Sequence, residues 1–294
     1  MISRRRFLTL SAATAAAGIS GAADAFAIEP GFSLVVKNWT VANAGWPSRA
    51  APLRIGILTD IHAVEPWMPA TRISAIVERL NGLKPDVIVL LGDYVNALRP
   101  RYYTSPVAVA DWVAALKPLR APLGVHAVLG NHDWWSGEVP VIRRAFEKAG
   151  IALLENAAIK LRRGADQFWI AGLGDQLAYN SHGVDDLRGT LARVTDRNPV
   201  ILLAHEPDIF VNVPRNVALT LSGHTHGGQV YIPFIGRPAL YRNYAGRNAN
   251  FAYGLYEKHG RHMIVSSGLG LSNYPIRFMV PPEIAMVTLC GVEA

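Results

Sequence analysis

The sequence predicts an α/β domain in which two sheets pack together with helices outside them. Three observations carry this: apolar runs of strand length recur from Leu53 onward, helical stripes separate the early ones, and the second half is mostly strand. At 294 residues, half of them hydrophobic, the chain has ample material for a buried core. No internal repeat of roughly 20 to 50 residues divides it, and no low-complexity linker does.

The stretch from Ile28 to Pro52 reads as a loop-like extension, so the domain proper is expected at 53–294. Leu53 to Thr59 (LRIGILT) is a buried-strand pattern. Ile73, Ile76, Val77 and Leu80 then form one helical stripe, and Val87 to Leu91 completes a β-α-β unit. A helix near Val107 to Leu116 leads to a strand at Val125 to Leu129. Pro140 to Ala149 reads as a helix with Val141, Ala145, Phe146 and Ala149 on one side and Gly150 as its stop. Short strands are expected at Ile151 to Leu154 and Phe168 to Ala171, then a helix around Asp185 to Val194. The remaining strands are placed at Val200 to Leu203, Val217 to Leu221, Gln229 to Ile232, Met263 to Ser266 and Ala285 to Leu289.

The N-terminus has the look of a twin-arginine export signal: Ser3-Arg4-Arg5-Arg6-Phe7-Leu8, an Ala-rich apolar stretch without charge until Asp24, then Ala25-Phe26-Ala27. Residues 1–27 are expected to be this leader, with cleavage after Ala27. Its apolar part falls short of the ~20 strongly apolar residues a spanning helix prefers and contains Gly18 and Gly21, although an uncleaved leader would still act as an anchor. Export of a folded protein lets a metal site load inside the cell, away from competition set by raw affinity. The expectation is a periplasmic or extracytoplasmic protein, membrane-associated if the leader is kept, with the twin-arginine machinery as a partner.

Net charge is +7, of which the first 27 residues hold +2. The basic residues are scattered, which points weakly to anionic substrates and gives no basic stripe of the kind nucleic-acid binding requires. The one cysteine, Cys290, excludes an internal disulfide and is expected to be a buried, inert thiol.

Chemistry concentrates in five blocks, each after an apolar run. Asp60-Ile61-His62 would project both ligands to one side of an extended segment. In Gly92-Asp93 the glycine permits a sharp turn that brings a carboxylate over the sheet edge. Gly130-Asn131-His132-Asp133 offers an amide oxygen for a cation beside a histidine free to move protons. His205 follows Val200 to Ala204, and Gly223-His224-Thr225-His226-Gly227-Gly228 adds two imidazoles on one side of another short extended segment. Singly, several of these are ordinary turns or a core histidine; together, each at a strand end, they read as one bimetallic hydrolase centre. Imidazole, carboxylate and amide donors without cysteine suit manganese, iron or zinc.

With these blocks the chain resembles the calcineurin-like metallophosphoesterases, matching all five family motifs from Asp60 to His226. It looks closest to the exported bacterial phosphodiesterases, through the leader, Gly-Asn-His-Asp-Trp-Trp at 130–135 and Gly-His-Thr-His-Gly-Gly-Gln at 223–229. The resemblance implies a four-layer α/β/β/α sandwich of two mixed sheets with flanking helices. It also implies two divalent ions: Asp60, His62 and His226 on the first, Asn131, His205 and His224 on the second, and Asp93 bridging. His132 would be catalytic, neutralising the developing phosphorane and protonating the leaving oxygen after in-line attack by a hydroxide held between ions ~3.5–4 Å apart. Asp133 would orient the cluster or a neighbouring histidine.

One departure stands out. The family's protein phosphatases continue Gly-Asp-Tyr-Val-Asp-Arg-Gly, whereas here Asn96 replaces the acid that pairs with the catalytic histidine. Asn96 is expected to hydrogen-bond His132 without stabilising its charge, which favours diesters over phosphoprotein monoesters. The substrate is thus expected to be a phosphate ester, lipid- or nucleotide-linked. Within the family the alternative is a UDP-diacylglucosamine-type pyrophosphohydrolase or another lipid-linked phosphate hydrolase, although such UDP-linked precursors are cytoplasmic. Outside enzymes the alternative is a metal-binding scaffold that has lost catalysis, which would lack a ligand or His132; this chain lacks neither. Trp67, Met68, Trp134, Trp135, Tyr274, Ile276, Phe278 and Met279 read as ordinary core first, and as a lipid-facing or membrane-contacting wall second.

Overall fold

The computed structural model describes residues 24–180, 182–237 and 251–292. Two six-stranded mixed sheets carry the architecture. In the first, the strands run in the order Val35–Ala42, Glu283–Cys290, Leu53–Leu58, Val87–Leu90, Val125–Ala127 and Ala152–Leu153. In the second, the order is Gly254–Lys258, Arg261–Val265, Val217–Ser222, Val200–Leu203, Asp166–Gly172 and Ala157–Arg163.

Alternation along the strands decides which layer each side chain enters. Val87 and Val89 face the second sheet, where they meet Leu203, Leu219 and Leu221 in a shared core. Ile88 and Leu90 face outward into a core closed by helices Ala70–Gly82, Val109–Leu116 and Val139–Ala149. The outer face of the second sheet packs Ala171, Leu202 and Val265 beneath Phe210, with Leu187 and Leu191 of helix Leu187–Ala192 against them. Strands buried on both faces read as unbroken apolar runs, which is why the central ones are visible in the sequence.

Where expectation and structure differ, edges and local bonding explain it. The stretch expected to be loop-like from Ile28 holds a short helix, Glu29–Phe32, and an eight-residue strand, Val35–Ala42, paired in parallel with Glu283–Cys290. Its outward residues Lys37, Asn38 and Thr40 hide the pattern. The strands Ala157–Arg163 and Gly254–Lys258 also escape the sequence pattern; both are sheet edges carrying charged residues, as edges commonly do. Gln229 to Ile232 makes only isolated bridges, because Gln229 has φ 55° and follows two glycines in left-handed conformation. The helix over 139–149 buries Val139, Ile142 and Phe146 and leaves Val141 exposed, a stripe one position away from the expected one. Cys290 is only half-buried, its thiol directed at Val41 O. Residues 1–23 of the expected leader lie outside the described residues.

Candidate metal centre

Five strand ends converge on one place. Asp60, Asp93 and Asn131 follow strands of the first sheet; His205, His224 and His226 follow strands of the second. The centre thus spans the cleft between the carboxyl ends of both sheets, the crevice where open α/β sheets hold ligands.

The backbone that aims these residues is left-handed, in place of the extended form that alternation of ligands predicts. Asp60, His62, Asp93, His224 and His226 all have positive φ, between 46° and 69°. For residues with a Cβ this conformation costs roughly 1–2 kcal/mol each, so surrounding bonds must enforce it. Asp60 N donates to Gly92 O and His62 N to Asp93 O, each at 3.0 Å, which ties the first block to the second. Gly92 itself has φ 98°, and a Cβ there would lie 2.5 Å from Gly130 N and 2.8 Å from His205 Nδ1. That glycine is a steric requirement of the site.

Two groups of donor atoms result: Asp60, His62 and His226, and Asp93, His205 and His224. His62 Nε2 lies 3.0 Å from His226 Nε2 and 3.5 Å from Asp93 Oδ2. His205 Nε2 lies 3.2 Å from the same Asp93 oxygen, so Asp93 stands between the groups. His224 Nδ1 is 2.9 Å from Asn131 Oδ1, which adds the amide to the second group. All seven residues expected to be ligands are therefore in one cluster, and all but the half-buried His224 are buried.

Charge in this cluster is set by burial and by mutual contact. Burial drives His62 down to about 3 and His224 to about 4, and drives His226 well below its ordinary value. Three imidazoles are thus neutral and keep lone pairs to donate. Burial raises Asp60 to about 7, against the pull of His205. For Asp93 burial would raise the pKa, but His205 and His132 outweigh it and hold the carboxyl well below the usual range. Burial would lower His205, yet the Asp93 carboxylate raises it well above normal.

Two divalent ions fit this donor set, as the direction of the rings and the chemistry of the donors show. His62 Nδ1 donates to Val95 O at 2.8 Å and His205 Nδ1 to Leu91 O at 2.7 Å, so each ring is fixed with Nε2 directed inward. His205 Nε2 is buried and faces Asp93 Oδ2 at 3.2 Å. The proton that Asp93 holds on His205 stands where a cation would sit, and binding of the cation would release it and free Nε2 as a ligand. The two carboxylates with neutral imidazole and amide donors suit a borderline or hard cation, with no softer thiolate present.

His132 sits at the edge of the cluster in the short helix Asn131–Trp135, half-buried, its ring 5.1 Å from His62 and 4.9 Å from Trp135. Its backbone N–H donates to Asp93 Oδ1 at 2.8 Å. Burial lowers its pKa, with Asp93 opposing. Asn96 does not reach it: Asn96 Oδ1 accepts from Leu98 N at 2.9 Å and its amide donates to Leu98 O. Asp133, fully buried, accepts from Gly130 N, Asp93 N, Tyr94 N and Val95 N and thereby clamps the second block to the third.

Sequence reasoning does not reach three supporting residues. Arg277 is fully buried, gives its guanidinium to the carbonyls of Ser267, Gly270 and Val280, and brings Nη2 to 3.4 Å from His226 Nδ1. Thr59 donates to Asp60 Oδ2 at 2.8 Å, and Gln229 bonds Ser272 N and Ile276 O. Arginine in an apolar segment such as Pro275 to Pro282 is the available signal for the first. Of the aromatic and apolar residues read as core or wall, Met68 is core, Trp67 donates to Tyr102 O, and Trp135 and Met279 are exposed.

Comparison with known proteins identifies the family. The family model for the calcineurin-like phosphoesterases matches residues 53–228. The metallophosphoesterase YkuE of Bacillus subtilis is 31% identical over 295 aligned residues, covering 98% of each chain. The phosphodiesterase YaeI of Escherichia coli is 31% identical over 294, covering 98% of this chain and all of that one. The metallophosphoesterase F40B5.2 of Caenorhabditis elegans is 32% identical over 269; the match covers 87% of this chain and 52% of that longer relative.

Proposed function

The chain belongs to the calcineurin-like phosphoesterase family and is a phosphoester hydrolase, and from that premise we propose that it hydrolyses phosphodiesters outside the cytoplasm. Asp60, His62 and His226 would hold one divalent ion and Asn131, His205 and His224 a second, with Asp93 placed to serve both. When bound, the two ions supply positive charge at the phosphoryl oxygens. Manganese, iron and zinc all suit the donors.

His132 is the catalytic proton donor. It lies beside the cluster with an exposed edge, ties its backbone to Asp93, and leaves both ring nitrogens free of hydrogen bonds among the described residues. Trp135 closes one side of the His132 ring and limits the directions in which it can turn.

The observation that carries the diester reading is the missing acid: no carboxylate among the described residues hydrogen-bonds the His132 ring, and Asn96 is committed to Leu98. Without that partner the imidazolium is less stabilised, which weighs more against the dianionic phosphoryl group of a monoester than against the monoanionic group of a diester. The E. coli relative, named a phosphodiesterase, supports the same reading. The test is hydrolysis of bis-nitrophenyl phosphate against nitrophenyl phosphate by the manganese-loaded protein and by His132→Ala. Diester hydrolysis is expected to dominate and to fall in the variant; faster monoester hydrolysis overturns the reading.

Export by the twin-arginine route rests on Arg4-Arg5 before Phe7-Leu8 and on the uncharged stretch after them. Replacing both by lysine (Arg4→Lys with Arg5→Lys) should leave the protein in the cytoplasmic fraction. Unchanged export would remove this part of the proposal. The substrate is in that case an envelope phosphodiester, lipid- or nucleotide-linked.

A further inference from the structure

We propose that the rim made by residues 24–32, 232–236 and 278–280 is a docking surface for a lipid bilayer, which sets the mouth of the centre beside a membrane. This inference is independent of the diester assignment. The three segments are tied together by the Glu29 carboxylate and by backbone bonds. Glu29 accepts from Met279 N at 2.8 Å and from Val280 N, Ala25 O accepts from Arg277 N, and Tyr231 N donates to Phe278 O. The rim also adjoins the centre: Arg237, just past the 232–236 turn, donates to the carbonyl of Gly227, the residue after His226.

What the rim presents to solvent is apolar and large. Phe234 is wholly exposed at the tip of its turn, Phe32 is 84% and Ile235 75% exposed, and Phe26, Ile28 and Met279 are each about half exposed. Three chain segments contributing such side chains to one region differ from the scattered apolar residues of an ordinary surface. Charge borders the rim on the neighbouring helix, where Phe32 shares a pocket with Arg72, Glu78 and Arg79, and is sparse within the three segments. Asp24 and Glu29 are the only charged residues in the three segments, and the Glu29 carboxylate is turned inward.

A bilayer is the occupant that the rest of the chain favours. In the uncleaved chain, to which this inference applies, the uncharged stretch Phe7 to Ala23 immediately precedes Asp24, so the rim follows a segment of apolar composition. Among the described residues no helix is long and apolar enough to cross a membrane. The mode proposed for the rim is interfacial, with aromatic and aliphatic side chains lying at the headgroup boundary.

The test is sedimentation of the full chain with vesicles of phosphatidylcholine and phosphatidylglycerol. The double variant Phe234→Ser with Ile235→Ser should partition about ten-fold less or weaker still, while Val141→Ser, exposed on the helix over 139–149, should partition as the parent does. Hydrolysis of soluble bis-nitrophenyl phosphate should be unchanged in the double variant, which separates this inference from the fate of the diester reading. Equal partitioning of parent and double variant would assign binding to the leader and overturn the proposal. So would absence of binding by the parent, or light scattering that shows a lipid-free dimer dissociated by the double variant.

Discussion

The seven donor residues and His132 sit within one cleft yet are held in opposite ways. Asp60 is fixed by Thr59 and by His224 N, His62 by Val95 O, and His205 by Leu91 O. The His132 ring is held by ring contacts alone. A group that must present a lone pair at a fixed point is braced at its other atoms, whereas a group that passes a proton must keep its nitrogens unengaged. Asp93 is where the two regions meet, since Oδ2 faces His62 and His205 while Oδ1 receives His132 N. Replacing it should therefore have the largest effect: Asp93→Ala should lose activity by about 10⁴-fold, or 5.5 kcal/mol. Elemental analysis should find fewer than two ions per chain. Two retained ions would break the assignment of Asp93 as the shared ligand.

The next largest effect should separate holding from proton transfer. His132→Ala should reduce diester hydrolysis by roughly 10²–10⁴-fold with bound metal and thermal midpoint unchanged, because the ring braces nothing. Loss of metal in this variant would mean that His132 belongs to the cluster after all, and the contrast between the regions would fail.

Much of this arrangement is legible in the amino-acid sequence. The central strands announce themselves because both their faces are buried, as with Val87 to Leu90, and each block follows such a run. Backbone conformation is not legible. Asp60-Ile61-His62 suggests alternation in an extended segment, and only the bonds to Gly92 O and Asp93 O reveal that the flanking residues are left-handed. Edge strands hide for a related reason: in Val35–Ala42 the partner strand, Glu283–Cys290, comes from the far end of the chain and supplies the stability that local composition lacks. Analogy of position puts Asn96 beside His132, but a two-residue turn to Leu98 satisfies its amide more cheaply than a long reach across the site.

Asp133 offers a smaller and more diagnostic perturbation. Its carboxylate accepts four backbone N–H groups, three of them from Asp93, Tyr94 and Val95. Asp133→Asn keeps one acceptor oxygen and puts donors where the other was, so the Asp93 turn should loosen without collapsing. Metal affinity, measured by calorimetry with manganese, should fall by about 10–100-fold. An unchanged affinity would show that the strained turn is held by its neighbours without this clamp.

The smallest effect should come from Asn96→Asp, the substitution that restores the acid of the protein phosphatases. If residue identity alone set the preference for diesters, the variant would gain monoester hydrolysis by an order of magnitude or more. The geometry argues otherwise. A carboxylate at this position would still accept from Leu98 N but would repel Leu98 O, to which Asn96 now donates. The cost of that one bond is about 1 kcal/mol, too little to force a side chain across to the His132 ring. The ratio of diester to monoester hydrolysis should thus change by less than about three-fold, which corresponds to under 0.7 kcal/mol. A larger gain would mean that the loop from Val95 to Leu98 moves when substrate binds, and that the looseness seen around His132 extends to its neighbours.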